Sequence, residues 1–361
     1  IFCPVVKVST PFPLFRIFYN TIIFTGGLMK LFRSLTLLLA AVCFCLTGCG
    51  LGTSKDSELT KVTLNEVTHS IFYAPQYVAI EKGYFEEEGI SLSVDTGFGA
   101  DKTMTAVISG NADIGFMGPE AAIYQYNEGN SDYAVCFAQL TQRAGNFLVS
   151  REKTDDFQWE DLKGKDLIGG RKGGMPQMIL EYILKKHGLD PKKDVNLIQN
   201  IDFANTSGAF SGGTGDFTVE FEPNATMLES QGAGYVVASL GVESGFVPYT
   251  AYCAKKSYMK ENPEIIQGFT NAIAKGQSYV AEHSAEEIAS VIKDQFPDIS
   301  ETDLIRITRR YKEQDTFKET PEFSREGFDL LQDILKEAGE LKKPVPFETL
   351  VDVSFAKKAA R

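Results

Sequence analysis

Two α/β lobes, each a mainly parallel sheet flanked by helices, are what the order of elements in this 361-residue chain predicts. Three observations carry that prediction. Short apolar strand patterns alternate with helical ones from residue 60 onward. The series restarts near residue 166. The two series also share a local pattern: Ser109-Gly110-Asn111-Ala112-Asp113-Ile114 leads to Pro119-Glu120, and Ser211-Gly212-Gly213-Thr214-Gly215-Asp216-Phe217 leads to Glu222-Pro223. Helix end, glycine turn, aspartate, strand and a Pro/Glu pair thus occur once per half.

In chain order, Lys61–Val67 alternates as a strand, Pro75–Glu88 reads as a helix and Ile90–Thr96 as a strand. Asp101 is placed to cap a helix bearing Met104, Val107 and Ile108, which Gly110 ends. Ala112–Met117 is a strand, Pro119–Asn127 a helix and Tyr133–Leu140 a strand. In the second series Asp166–Ile168 is a strand, and Pro176 opens a helix that Gly188 ends. Strand Val195–Gln199, helix Phe203–Phe210, strand Phe217–Glu220, helix Asn224–Ser230 and strand Gly234–Ser239 follow. The remainder reads as extra C-terminal helices, with a capping box at Ser284-Ala285-Glu286-Glu287 and a last long helix over Phe323–Leu341. Asn146–Ser150 and Tyr249–Lys255 are read as paired connections between the lobes. Lobe one is then expected over 60–147 plus 253–361, and lobe two over 148–252.

The N-terminus addresses the compartment. Met29-Lys30-Leu31-Phe32-Arg33 is a basic head, Leu35–Leu46 an apolar run, and Leu46-Thr47-Gly48-Cys49 a small-residue exit. These are the parts of a secretory signal peptide, too short to span a bilayer comfortably. The exit resembles the lipobox of bacterial lipoproteins, which makes Cys49 the expected lipidated first residue of the mature chain. Translation is expected to start at Met29, leaving 1–28 unmade; 29–48 is then the signal peptide and 49–59 a lipidated tether rich in Gly, Ser, Lys and Asp.

Residues 1–49 hold four basic residues and no acid, so the rest of the chain holds 32 basic and 48 acidic residues, a net charge of −16. Such a balance excludes the basic footprint of nucleic-acid binding. Four of the six cysteines belong to the leader; Cys136 and Cys253 sit in apolar runs and read as buried free thiols. No metal-ligand spacing and no HExxH, GxSxG, Walker A or dinucleotide motif is present, and Gly97-Phe98-Gly99 lacks the third glycine of such a fingerprint. Of the three histidines, only His69 falls in an expected pocket loop. Neither a cofactor nor catalysis is expected.

Ligands of open parallel sheets bind beyond the carboxyl ends of the strands. That rule selects Thr68–Tyr73, Gly97–Asp101, Gly118–Glu120, Gly169–Met175, Asn200–Asn205 and Glu220–Glu222, three loops from each lobe. The pocket is therefore expected in a cleft that closes between the lobes.

Ser70-Ile71-Phe72-Tyr73-Ala74-Pro75-Gln76-Tyr77-Val78-Ala79-Ile80-Glu81-Lys82-Gly83-Tyr84-Phe85 resembles the opening helix of the sulfonate- and thiamine-precursor-binding family of ABC importers. Ala112-Asp113-Ile114-Gly115-Phe116-Met117-Gly118-Pro119-Glu120 and Gly215-Asp216-Phe217-Thr218-Val219-Glu220-Phe221-Glu222-Pro223 are similar to its two lobe signatures, and Gly173-Gly174-Met175-Pro176 to its second helix entry. The resemblance implies the type-II periplasmic-binding-protein fold. It also implies a small-molecule ligand and a membrane permease driven by a cytoplasmic ATPase. A monomer held by its lipid anchor at the extracytoplasmic face of the cell membrane is expected. The pyrimidine synthases of thiamine biosynthesis share that fold but carry a cysteine-rich segment and an active-site histidine, which the isolated Cys136 and Cys253 do not match.

Each candidate ligand residue has a structural alternative. Phe72 and Tyr73 either stack on a flat ring or belong to the core. Gly173 and Gly174 either offer amides to an anion at a helix N-terminus or only shape a turn. Asp113 and Asp216 read as turn caps. Glu120 and Glu222 stand at helix starts, where a carboxylate meets the helix dipole. Glu220, between apolar Val219 and Phe221, is the carboxylate suited to an amino-substituted ring. An aminopyrimidine thiamine precursor is the favoured ligand, with aliphatic sulfonates second. A secreted sensor subunit is the alternative to transport.

Overall fold

The computed structural model describes residues 59–359, so the expectations for the leader, Cys49 and residues 50–58 lie outside it. Strands β1 (Thr60–Glu66), β2 (Ile90–Thr96), β3 (Ile114–Met117) and β4 (Ala134–Thr141) come first. The chain then crosses at residues 142–145 into β5 (Asn146–Ser150), β6 (Asp166–Ile168), β7 (Asn196–Ile198), β8 (Phe217–Phe221) and β9 (Tyr235–Ser239). It returns through residues 240–249 to β10 (Thr250–Lys255).

The ten strands form two sheets, in the orders β2-β1-β3-β10-β4 and β7-β6-β8-β5-β9. Within each, the fourth strand is antiparallel to both its neighbours and the first three are mutually parallel. The fold is α/β, as predicted. Asn146–Ser150 and Tyr249–Lys255, however, are not bare connections: β5 and β10 each fill that fourth place. Phe147 accordingly belongs to the second sheet, and Thr250–Tyr252 to the first.

The repeat seen in sequence has the same physical role in both sheets. Asp113 Oδ2 accepts from the Thr63 N–H at 2.9 Å, and the Asp113 N–H donates to the Thr63 carbonyl at 3.0 Å. Asp216 does the same to Asp166, at 2.9 and 2.7 Å. In each half, an aspartate just before β3 or β8 staples that strand to β1 or β6, fifty residues upstream. They are structural carboxylates, as the turn reading expects.

Other boundaries moved for local reasons. The helix expected over Pro75–Glu88 is two, Ala74–Glu81 and Tyr84–Glu87, separated where Gly83 takes a left-handed φ of +72°. Asp101 does not cap its helix; Gly99 does, and Asp101 lies in the first turn. The last long helix is Arg325–Glu337, followed by Phe347–Leu350 and Ser354–Ala359.

The C-terminal elements hold the first sheet together. β4 ends its sheet but is buried along its whole length. Its outer edge is paired by the tail: the Gln139 and Gln142 N–H groups donate to the Pro321 and Thr316 carbonyls, and those of Lys318 and Asp352 donate to Leu140 and Cys136. A strand edge that would otherwise recruit a foreign chain is thereby closed. Helix Pro263–Glu282 packs on Ala74–Glu81 so closely that a side chain at Gly276 would run into the Pro75 carbonyl oxygen. Gly276→Ala is expected to cost about 1–3 kcal/mol through overpacking, read as a lower urea midpoint at unchanged slope; an unchanged midpoint would mean the helices part freely. Cys136 and Cys253 are buried and unbridged, directly opposite each other on β4 and β10.

Candidate functional site

The carboxyl ends of the parallel strands of both sheets converge on one cleft, which holds a cavity of about 940 Å³. Every one of the six loops selected from sequence contributes to its wall, including Thr68 and Tyr73, Phe98 to Asp101, Gly118 and Glu120. From the second lobe come Gly170 to Met175, Asp202, Ala204, Asn205 and Phe221. Tyr124 and Tyr249, outside those loops, complete an aromatic lining. A salt bridge spans the cleft, the Arg171 guanidinium donating to Asp101 Oδ1 at 3.0 Å.

Tyr73 and Glu120 face the cavity. Glu120, the first residue of helix Glu120–Asn127, is 4% exposed, and its Oε2 has no hydrogen-bond partner among the described residues. Burial pushes its carboxyl up to about 8, so it is protonated at neutral pH. The expected dipole role therefore does not keep it ionised. Tyr249, whose hydroxyl is likewise buried and unpartnered among the described residues, lies near Glu120, as do Tyr73 and Tyr124. The buried part of the lining is thus aromatic with one neutral acid, while the exposed Asp101, Lys102, Glu128, Arg171, Lys172 and Asp202 add charges to the wall.

The other candidates are placed differently. Phe72 is fully buried and does not line the cavity; its ring packs on Tyr73, Phe221, Tyr249 and Tyr311 at centroid distances of 5.2–5.7 Å. Glu220 is also absent from the wall. Side chains alternate along β8, so Phe221 takes the cleft and Glu220 the opposite face. There Glu220 accepts from Thr218 Oγ1 at 2.8 Å and Thr206 Oγ1 at 3.1 Å. Burial raises its carboxyl to about 7, against the lowering effect of hydrogen bonds from Thr218, Thr206 and Asn224.

Glu222 is structural too. It accepts from the Thr226 N–H at 2.9 Å and the Thr226 hydroxyl at 3.0 Å, and pairs with Arg310. Gly173 and Gly174 do line the cavity, but their amides are already engaged, Gly173 with Gln177 Oε1 at 2.9 Å and Gly174 with the Arg171 carbonyl at 3.2 Å. An anion site at those two amides would have to displace both.

His69, the histidine in an expected pocket loop, is turned away from the cavity. Its Nδ1 meets buried Glu66 at 2.9 Å and its Nε2 the Gln295 carbonyl at 2.9 Å. The Glu66 hydrogen bond raises its pKa, with burial opposing. The missed residues left some signal. Tyr124 is one helical turn beyond Glu120, so both share a face. Asp101 and Arg171 are opposite charges in two facing loops. Tyr249 had no signal beyond its place at the return crossing.

Residues 71–287 match the model of the family described as NMT1/THI5 like. This chain belongs to that family. A Bacillus subtilis (strain 168) relative named as a binding protein, YtlA, is 48% identical over 319 residues, covering 87% of this chain and 93% of the relative. The 4-amino-5-hydroxymethyl-2-methylpyrimidine phosphate synthase of Aspergillus parasiticus is 26% identical over 222 residues, 58% of this chain and 63% of that one. Among solved structures, the alkanesulfonate-binding protein SsuA from Xanthomonas axonopodis pv. citri, bound to MOPS, superimposes with a TM-score of 0.65 at 16% identity, covering 82% of this chain and 99% of that one. The NMT1/THI5-like chain thus has the periplasmic-binding-protein fold, as its two sheets of matching order already indicate.

Proposed function

We propose that the protein is the lipid-anchored extracytoplasmic solute-binding subunit of an ABC importer, and that it captures an aminopyrimidine of the thiamine-precursor type between its lobes. The observation that carries the ligand assignment is Glu120, a buried carboxyl with one oxygen unpartnered among the described residues, at the aromatic part of the cavity wall. A 4-aminopyrimidine edge presents one N–H donor beside one ring-nitrogen acceptor. A protonated carboxyl presents the complement, a carbonyl acceptor beside an O–H donor, so the two form a cyclic pair. The family relationship to a pyrimidine synthase supports the same chemistry. Glu120 replaces Glu220 as the recognising group, because Glu220 faces away from the cleft.

A sulfonate offers acceptors alone. With the Gly173 and Gly174 amides engaged and Arg171 paired with Asp101, the exposed Lys102 and Lys172 are what the wall offers it, a weaker match than a buried complementary edge. Binding rather than turnover is supported by the relative named as a binding protein and by His69, Cys136 and Cys253, none of which reaches the cavity wall. Anchoring at Cys49 suits this role, since the several acyl chains of a lipoprotein hold where one would not.

A thermal-shift panel tests the reading, with 4-amino-5-hydroxymethyl-2-methylpyrimidine, thiamine, taurine, longer alkane sulfonates and nitrate added to protein refolded free of ligand. A solute at a hundred times its Kd adds about 2.7 kcal/mol. The expected outcome is a rise in Tm with the aminopyrimidine and none with sulfonates. A rise with sulfonates alone would overturn the ligand assignment, and loss of uptake on deleting a neighbouring permease would separate transport from sensing.

A further inference from the structure

The Gly97-Phe98-Gly99 loop between β2 and helix Ala100–Ser109 carries a conformation that the fold does not reward. Phe98 is 73% exposed, more than any other large apolar side chain described. Its φ is +56°, in the left-handed region that side-chain-bearing residues avoid; Asp315 is the one other described non-glycine residue there. Neither burial nor a hydrogen bond of its side chain compensates for either feature, and such outliers gather where a ligand is met.

The loop is nevertheless held firmly. The Gly97 N–H donates to the Glu66 carbonyl at 2.8 Å and the Gly99 N–H to the Val67 carbonyl at 3.1 Å, so both flanks are pinned to the end of β1. A side chain at Gly97 would collide with Asn65 and Thr103. The Gly99 carbonyl accepts from Thr103, starting the helix. Three residues beyond Phe98, Asp101 makes its bridge to Arg171 of the other lobe. The result is a rigid apex that projects one aromatic ring at the wall of the cavity, between the two lobes.

We propose that Phe98 is a ligand-contacting residue, its ring covering the face of a flat, π-rich solute whose edge is held at Glu120. The inference rests on the aminopyrimidine reading above. It assigns a division of labour within the cavity: Glu120 reads the hydrogen-bonding edge, and Phe98 supplies stacking area that loses its water when the solute enters. A loop that is already pinned loses little backbone freedom on binding, which is why a strained backbone is worth keeping there.

Titration calorimetry of the purified protein with 4-amino-5-hydroxymethyl-2-methylpyrimidine decides it. Stacking on one aromatic ring predicts that Phe98→Ala weakens binding about tenfold to a hundredfold. Phe98→Leu should recover part of this and Phe98→Trp most of it, while the ligand-free melting temperatures of all three stay near that of the unaltered protein. Equal affinity of Phe98→Ala and the unaltered protein would overturn the inference alone. If transport into reconstituted vesicles then fell at that unchanged affinity, the ring would belong to the face that meets the permease. No binding by the unaltered protein would sink the aminopyrimidine reading, and this inference with it.

Discussion

Glu120→Leu is expected to lower affinity for the aminopyrimidine at least about a hundredfold, because two hydrogen bonds in a desolvated cavity are lost and the ligand's polar edge is left unpaired. Glu120→Gln is the informative companion. A primary amide also presents a carbonyl acceptor beside an N–H donor, so it mimics the protonated acid and should bind within about tenfold of the original. The pH dependence follows from the carboxyl being raised to about 8 from an ordinary value of 4.5. Below about 8 it holds its proton and the cyclic pair forms; above it the carboxylate has no donor for the ring nitrogen. Binding should therefore be level from pH 6 to 7.5 and weaken above 8, whereas Glu120→Gln should stay level throughout.

The same shift has a sign for stability. The folded state holds a proton that the unfolded chain releases near 4.5, so this contribution is complete below that pH and is lost progressively as pH rises towards 8. Glu120→Gln should accordingly gain in Tm relative to the original protein between pH 6 and 9. Calorimetric titrations across that range read both effects. Complete loss of binding in Glu120→Gln at every pH would mean that a charged carboxylate meets a cationic ligand, and unchanged binding in Glu120→Leu would remove the residue from the site.

Arg310→Leu is expected to destabilise the protein by about 3–5 kcal/mol, since it strands a buried carboxylate. The Glu222 side chain is 0% exposed at the end of β8, and Arg310, on helix Glu301–Glu313, is its cation. The same guanidinium reaches Glu229 at 2.9 Å and lies over the Phe147 ring at 5.3 Å. The neighbouring Tyr311 hydroxyl accepts from the Glu222 N–H at 3.2 Å and donates to the Gly145 carbonyl at 2.9 Å. One helix of the C-terminal region thus stitches the second sheet to the first crossing. Urea unfolding should show the midpoint fall in Arg310→Leu and recover in large part in the double change Arg310→Leu with Glu222→Leu, where no charge is left stranded. Arg310→Lys should not suffice, as a point charge cannot serve two carboxylates at fork geometry. A midpoint unmoved by Arg310→Leu would mean that water reaches Glu222.

How far the sequence reaches is clearest from particular residues. Asp113 and Asp216 were legible as structural because a glycine turn followed by an aspartate and a strand has a local physical meaning, and it recurs. The loops of the cavity wall were legible because strand direction alone says at which end ligands meet an open sheet. Glu220 was misplaced for an equally simple reason. A pattern of apolar residues around one acid does not say which face of β8 turns to the cleft, and a shift of one residue exchanges the faces. Phe72 and Tyr73 are adjacent aromatics that sequence cannot tell apart, yet one packs between the lobes and the other lines the cavity.

The sequence by itself therefore determined the alternation of elements, the two-lobed α/β architecture, the family and the set of loops around the cavity, all of which follow from periodicity, turn chemistry and local motifs. Only the tertiary structure decided which buried carboxyl oxygen has no partner among the described residues, which glycine amides are already engaged, and that the two supposed connections are sheet strands. Those are outcomes of side-chain direction, of the geometry of one turn and of strands distant in sequence that meet in a sheet, and a pattern of residue types does not encode such meetings.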